Sequence, residues 1–286
     1  MNKFINTDRF RDIAHYKVML KNNMPFVTNI LKNNAIIYCD VSDLNYLFSN
    51  LRFAIKKYIL ITASSDFPVT QQTFLSKPSC IKKWYTAHVT FDHPDFVSIP
   101  LGLGPYKYHD ACAPDPVTEK SYYIWFEENI NKFNYENKDT KKVYCNWKNA
   151  NNPRKRIGIL QKLRNNDIEY HWGRGKEENE SEVRYNGISP YIYYEQMAQC
   201  KFVIAPPGVA PTDSAKIWEA LYMGSFPVVI KDDAIKEWGN LPIIQVNDYS
   251  EVTYDLLYSY LDKEYNFERC YMTYWKKRIT KEFEKL

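Results

Sequence analysis

The sequence predicts an α/β protein with two Rossmann-like domains, and three observations carry that prediction. Short apolar, β-branched runs alternate with helix-length segments through the second half, the pattern of a mostly parallel sheet. A less regular alternation of the same kind occupies the first half. The 286 residues leave room for one large or two ordinary domains, at about 100–200 residues each.

Composition narrows the class further. Hydrophobic residues make up 45% of the chain and charged residues 25%, with 15 Pro beside 9 Gly, proportions that exclude a collagenous, coiled-coil or disordered chain. The 38 basic and 34 acidic residues are spread along the chain, so the formal charge of +4 names no nucleic-acid partner. Six cysteines stand more than 30 positions apart, which leaves no zinc knuckle or dense disulfide frame and predicts reduced thiols. Charges interrupt every apolar run of the first twenty residues, so neither a signal peptide nor a membrane anchor is expected there, and a cytoplasmic chain is.

In chain order, AIIYC (35–39), YILIT (58–62) and VSIP (97–100) read as strands of a smaller N-terminal α/β domain spanning 1–104. Residues 105–140 read as a linker, with Pro105, Pro114, Pro116, the polar run YENKDTKK and one helix, SYYIWFEENINKF. The second domain spans 141–265. Its strands are 141–147, 168–172, 201–205, 226–230 and 241–246, and its helices are 154–164, 191–200, 213–223 and 250–261. A last helix, within 266–286, is expected outside the second domain and free to return to the first.

The most specific stretch is residues 200–230, CKFVIAPPGVAPTDSAKIWEALYMGSFPVVI, which joins strand, loop, helix and strand without interruption. Pro206, Pro207 and Gly208 force an abrupt exit at the carboxyl edge of the sheet, where open α/β folds bind ligands. Thr212 or Asp213 is placed to cap the next helix. Its free N–H groups and positive dipole end suit a diphosphate, with Ser214 and Lys216 adding a hydroxyl and a charge. At helical spacing Ile217, Trp218 and Leu221 form the core stripe, and Lys216 and Glu219 fall near the opposite side, where Glu219 need not be buried. One reading makes Glu219 the acceptor for ribose hydroxyls; the other makes the two residues a surface i,i+3 ion pair worth about 0.2–0.5 kcal/mol.

The pattern PPG, D-S-x-K, W-E-A-L-x-x-G-x-x-P-V-V resembles the donor-binding signature of exostosin-like glycosyltransferases. The likeness extends to YCNWKNANNPRKR, WYTAHVTFDHPDFVSIPLGL and ILITASSDFPV, together touching most of the chain. The resemblance implies a GT-B architecture, two Rossmann-like domains facing across a cleft, with a UDP-sugar held by the C-terminal domain and a glycan or glycoprotein acceptor on the N-terminal side. Where many relatives carry basic residues after the strand and near the helix start, this chain has Pro207 and Lys216, and the family's usual membrane anchor is missing. A soluble chain of this composition is similar to virus-encoded or microbial relatives acting in a host cytoplasm, including xylosyltransferases that build viral glycans.

Arg154 and Arg156 follow Pro153 at a helix start and are candidates to reach an anionic donor; solvated charge is the alternative. His171 and Trp172 end a strand where a nucleobase would stack, or else belong to the core. An inverting transfer needs a base, for which Asp66, beyond the strand YILIT, is the first candidate and Asp92 and His93 the alternatives. Helix capping is the competing role for Asp66, and a turn beside Pro94 is that for His93. No DxD occurs and the adjacent Asp232 and Asp233 have no third ligand nearby, so no metal or other cofactor is expected. Two rival readings remain, a non-catalytic nucleotide- or glycan-binding module and a GDP-fucose-type transferase.

Overall fold

Strands made of continuous apolar runs are buried on both faces, as parallel strands covered by helices must be. In the computed structural model, which describes residues 4–20, 33–63, 66–103, 122–173, 190–210 and 213–286, this burial defines two units. Unit 1 comprises Met1–Pro105, Asp232–Gly239 and Phe267–Leu286; unit 2 comprises Tyr106–Lys231 and Asn240–Asn266. Of the stretch 105–140, the described residues 122–140 group with the second unit.

Unit 1 runs α1 (Thr7–Arg11), β1 (Tyr16–Val18), β2 (Ala35–Cys39), α2 (Leu44–Leu51), β3 (Tyr58–Thr62), α3 (Gln71–Leu75), β4 (Ile81–Thr86) and β5 (Phe96–Ser98). The strands form one parallel sheet in the order β1-β2-β3-β4-β5. Ile37, Leu60, Trp84 and Phe96 face one core with Leu47, Phe48 and Phe74 from the helices.

Unit 2 runs α4 (Tyr122–Phe133), β6 (Asp139–Cys145), α5 (Pro153–Arg156), α6 (Ile159–Asn165), β7 (Glu169–Trp172), α7 (Pro190–Gln199), β8 (Cys200–Ile204), α8 (Ala215–Tyr222), β9 (Phe226–Ile230), β10 (Ile244–Val246) and α9 (Tyr254–Tyr258). Its strands are also all parallel, in the order β10-β9-β8-β6-β7. The helix expected over 154–164 is broken in two, because Ile157 turns extended and Gly158 takes φ +82°. That expected over 250–261 shortens to a 3-10 turn at Tyr249–Glu251 and then α9, whose start is capped by the Thr253 hydroxyl.

The chain ends in α10 (Met272–Phe283), whose Met272, Trp275 and Ile279 form a buried stripe, with the Trp275 ring 6.3 Å from Phe10 of α1. The 3-10 helix Asp233–Trp238 groups with it in unit 1, where Arg278 donates to Glu237 at 2.8 Å and Arg269 donates to the Glu237 carbonyl. Cys39, Cys80, Cys145, Cys200 and Cys270 are buried cysteines, and burial pushes the Cys200 thiol up to about 11 and that of Cys270 up to about 12. Cys112 lies outside the described residues. Among the described residues no helix is long and apolar enough to cross a membrane.

The α/β class expected from the sequence is thus present in both units. Gly102 closes the N-terminal segment onto unit 1: its φ is +67°, and a Cβ built there would lie 2.3 Å from the Ile5 carbonyl oxygen. Gly102→Ala is expected to lower stability by more than about 2 kcal/mol, since a left-handed side chain alone costs about 1–2 kcal/mol before the backbone clash. Urea unfolding measures it, and an unchanged midpoint would mean that residues 4–6 do not close on this turn.

Candidate functional site

In unit 2 the chain goes outward from β6 to β7 and then returns to the other side of β6 for β8, β9 and β10. The carboxyl ends of β6 and β8 therefore flank a topological switch point, the place where open α/β sheets leave a ligand crevice. Unit 1 has no such reversal among its described strands, because its order follows the chain.

The loop leaving β8 at this point is Ala205, Pro206, Pro207 and Gly208, and two side chains from the β6 exit tie it down. Arg156 Nε donates to the Pro207 carbonyl at 2.8 Å and its Nη1 to the Lys148 carbonyl at 2.6 Å. Asn152 Nδ2 donates to the Gly208 carbonyl at 2.8 Å. Arg156 is consequently buried, so its first role is to staple the loop rather than to reach outward for an anion. Arg154, two residues earlier, is exposed.

The helix that follows starts differently from the sequence expectation. Ser214 occupies the N-cap position of α8 and makes no side-chain cap, whereas Asp213 is buried and accepts the Trp218 indole N–H at 2.8 Å. Thr212 lies outside the described residues. The Ser214 hydroxyl is buried and has no hydrogen-bond partner among the described residues. Such groups are uncommon, and each asks for an explanation such as a ligand or a water.

Glu219 is also buried, at 7% exposure, because α7 covers the side of α8 that the spacing would leave to solvent. Burying a carboxylate costs several kcal/mol unless hydrogen bonds replace its hydration. Here Tyr193 donates to Oε2 at 2.7 Å and Tyr194 to Oε1 at 3.2 Å. Lys216 Nζ donates in turn to the Tyr193 hydroxyl at 2.7 Å and lies 4.7 Å from the centre of that ring. Lys216 and Glu219 are thus joined through a phenol. The tyrosine pair in YIYYEQM carried no signal of its own, since 24 tyrosines make adjacent ones unremarkable in this chain.

Tyr144, near the carboxyl end of β6, joins this cluster. Its ring stacks on His171 of β7 at 6.0 Å, meets Tyr193 edge-on at 5.9 Å, and its hydroxyl accepts from Asn146 at 3.1 Å. Burial raises the Tyr144 phenol above the ordinary tyrosine range, which keeps it protonated at neutral pH. His171 Nε2 is likewise a buried polar atom with no hydrogen-bond partner among the described residues. Trp172 turns the other way, packing edge-on against Trp147 at 5.1 Å and against the unit 2 core. The structure therefore brings together Pro207, Gly208, Ser214, Lys216, Glu219 and His171 around the switch point, adds Tyr144, Tyr193 and Tyr194, and sends Trp172 to the core.

The candidate bases belong to unit 1. Asp66 is exposed, four residues beyond the carboxyl end of β3, and it does not cap α3, whose N-cap is Thr70. Asp92 is paired with Lys236 at 2.9 Å. His93 sits in the turn before β5, where its Nδ1 accepts from the Asp95 N–H at 3.0 Å and its carbonyl accepts from the Phe96 N–H. That turn lies at the amino end of β5, opposite the strand ends where α/β sheets bind ligands. Asp232, once weighed with Asp233 for a metal, accepts the Ala234 N–H at the start of the 3-10 helix.

No protein-family profile matches the chain, and no curated protein matches it. Two solved structures of the Anabaena protein Alr3699/HepE are similar to it. The complex with UDP and glucose aligns at 13% identity over 87% of this chain and 72% of that one, with a TM-score of 0.41. The complex with UDP-glucose aligns at 12% identity over 86% and 74%, with a TM-score of 0.38.

Replacing Arg156 with Met would leave the Pro207 and Lys148 carbonyls without this donor. A loss of about 2–4 kcal/mol is expected, because hydrogen bonds from a charged group contribute about 1.5–3 kcal/mol each and do not add fully. Chemical denaturation reads it, and a loss below 0.5 kcal/mol, on the order of a surface change, would mean the loop holds itself.

Proposed function

We propose that the protein is a glycosyltransferase that takes its sugar from a UDP-sugar bound at the switch point of unit 2. The observation that carries this reading is Glu219, a buried carboxylate with both oxygens oriented by phenols, one turn into the helix that follows the PPG loop. A carboxylate accepts several hydrogen bonds, so the ribose hydroxyls add to those from Tyr193 and Tyr194 rather than displacing them. The likeness of the surrounding motif to the exostosin-like signature makes the same assignment.

The roles follow from chemistry. Ser214, Lys216 and the free N–H groups at the start of α8 receive the diphosphate, with Asp213, Pro207 and Gly208 shaping the approach and Arg154 adding charge from the loop side. His171 and Tyr144 lie where the base and ribose need polar and aromatic partners. In the transfer an acceptor hydroxyl oxygen attacks the anomeric carbon, the bond to the diphosphate oxygen breaks, and UDP leaves with the electron pair. Asp66 takes the hydroxyl proton, and attack opposite the leaving group inverts the anomeric centre. Positive charge at the leaving group comes from Lys216 and the helix end, so the step is assigned no metal. Xylose as the donor sugar, and a glycan as the acceptor, rest on the resemblance alone.

Glu219→Ala is expected to lower UDP affinity at least tenfold, about 1.4 kcal/mol or more, in calorimetric titration while unfolding remains cooperative. Affinity unchanged in a folded Glu219→Ala protein would remove Glu219 from the site. Asp66→Asn is expected to leave UDP binding intact and slow transfer by about 10²–10⁴-fold. A wild-type transfer rate in that variant would move the base elsewhere.

A further inference from the structure

A cavity of about 280 Å³ lies within unit 1, beside the edge strand β5; Asp92 and His93, the alternative candidates for the base, line it, but none of the roles assigned under the proposed function uses it. The charged groups lining it are Asp92, Lys236 and Glu237. Asp92 pairs with Lys236 at 2.9 Å, and Glu237 pairs with Arg278, which stands outside the lining, at 2.8 Å, so each carboxylate of the wall is already matched by a cation. The His93 imidazole lines the same wall. A charged ligand would have to compete with one of these pairings. Each carboxylate nevertheless keeps lone pairs for further donors, which suits an uncharged molecule rich in hydroxyls.

One wall is apolar and held rigidly. Phe96 stacks on Phe91 at 4.8 Å, meets Phe74 at 5.0 Å and Trp84 at 5.6 Å, and Val89 and Pro94 complete its side. Ser98, two residues along the same face of β5, also lines the cavity. It is 2% exposed, and its hydroxyl has no hydrogen-bond partner among the described residues. A buried hydroxyl left in that state weakens the free protein, a cost that a ligand offering a hydrogen bond removes. The volume stands at the low end of small-molecule sites, about 300–1,000 Å³, and fits a single ring.

We infer that this cavity binds one uncharged sugar ring, its C–H face against the apolar wall and its hydroxyls toward Asp92, Glu237 and Ser98. The inference does not depend on the donor reading, because every residue it uses belongs to unit 1 and every donor residue to unit 2. The ring is either a free monosaccharide or the terminal unit of a glycan. The shared chemistry is the same, and chain length tells them apart.

Saturation-transfer NMR on the full chain tests it with uncharged monosaccharides and their short oligosaccharides, with acetate, methyl phosphate and methylammonium as charged probes. At least one saccharide is expected to bind in the millimolar range, undisplaced by saturating UDP. An oligosaccharide binding more tightly than its terminal sugar identifies a glycan end; equal affinity identifies a free sugar. Ser98→Ala is expected to weaken that binding about tenfold while leaving the melting temperature equal or higher, since it removes an unsatisfied group. Absence of binding by every saccharide overturns the inference, as does unchanged affinity in Ser98→Ala or preference for a charged probe. UDP binding in the same samples reports separately on the donor site.

Discussion

Holding the Glu219 carboxylate out of water is the constraint around which unit 2 is arranged. Two phenols on adjacent residues of α7 must reach its two oxygens, so α7, which itself packs on β6 and β8, has to lie beside α8. Tyr194 is itself fixed by Phe126 and Phe133 of α4, whose rings lie 4.9 and 6.4 Å away. This explains why residues preceding β6 belong to the second unit: α4 backs the helix that orients the carboxylate. A buried charge that consumes this much structure is weak evidence of stability, because apolar residues would fill the same space at lower cost. Its retention favours a role toward a ligand.

The two sheets have the same strand count and parallel sense, yet only one reverses direction among the described strands. In unit 2 that reversal collects the PPG loop, the start of α8 and the Tyr144–His171 pair at one place, together with two buried polar atoms, Ser214 Oγ and His171 Nε2, that find no hydrogen-bond partner among the described residues. Arg156 and Asn152 fix the loop there by donating to its carbonyls. In unit 1 the chain-ordered sheet concentrates polarity along its edge instead, where Ser98 and the paired charges border a cavity.

Legibility in the sequence follows burial. β2, β3, β8 and β9 read directly because each is a short run covered on both faces, and apolar residues fill nearly every position, Thr62 and Lys201 being the polar exceptions. β4 did not, since Lys82 and Lys83 interrupt IKKWYT, and β1 is only three residues long. The switch-point loop and Glu219 were visible as motif, but their partners were not. Tyr193 and Tyr194 act through a helix–helix contact that spacing along one helix cannot reveal. Arg156 read as a candidate for the donor, with solvated charge as the alternative, and the fold places two carbonyls against it. Asp213 looked like a cap, and the Trp218 indole claims it instead.

The central claim is that unit 2 is a uridine diphosphate site, and titration of the wild-type protein with UDP, GDP and CMP, with and without EDTA, tests it most directly. A ligand that binds only the folded state raises apparent stability by mass action, so thermal shift and calorimetry should agree. The account predicts binding of UDP ahead of GDP and CMP, unchanged by EDTA. Failure of all three nucleotides to bind would contradict it.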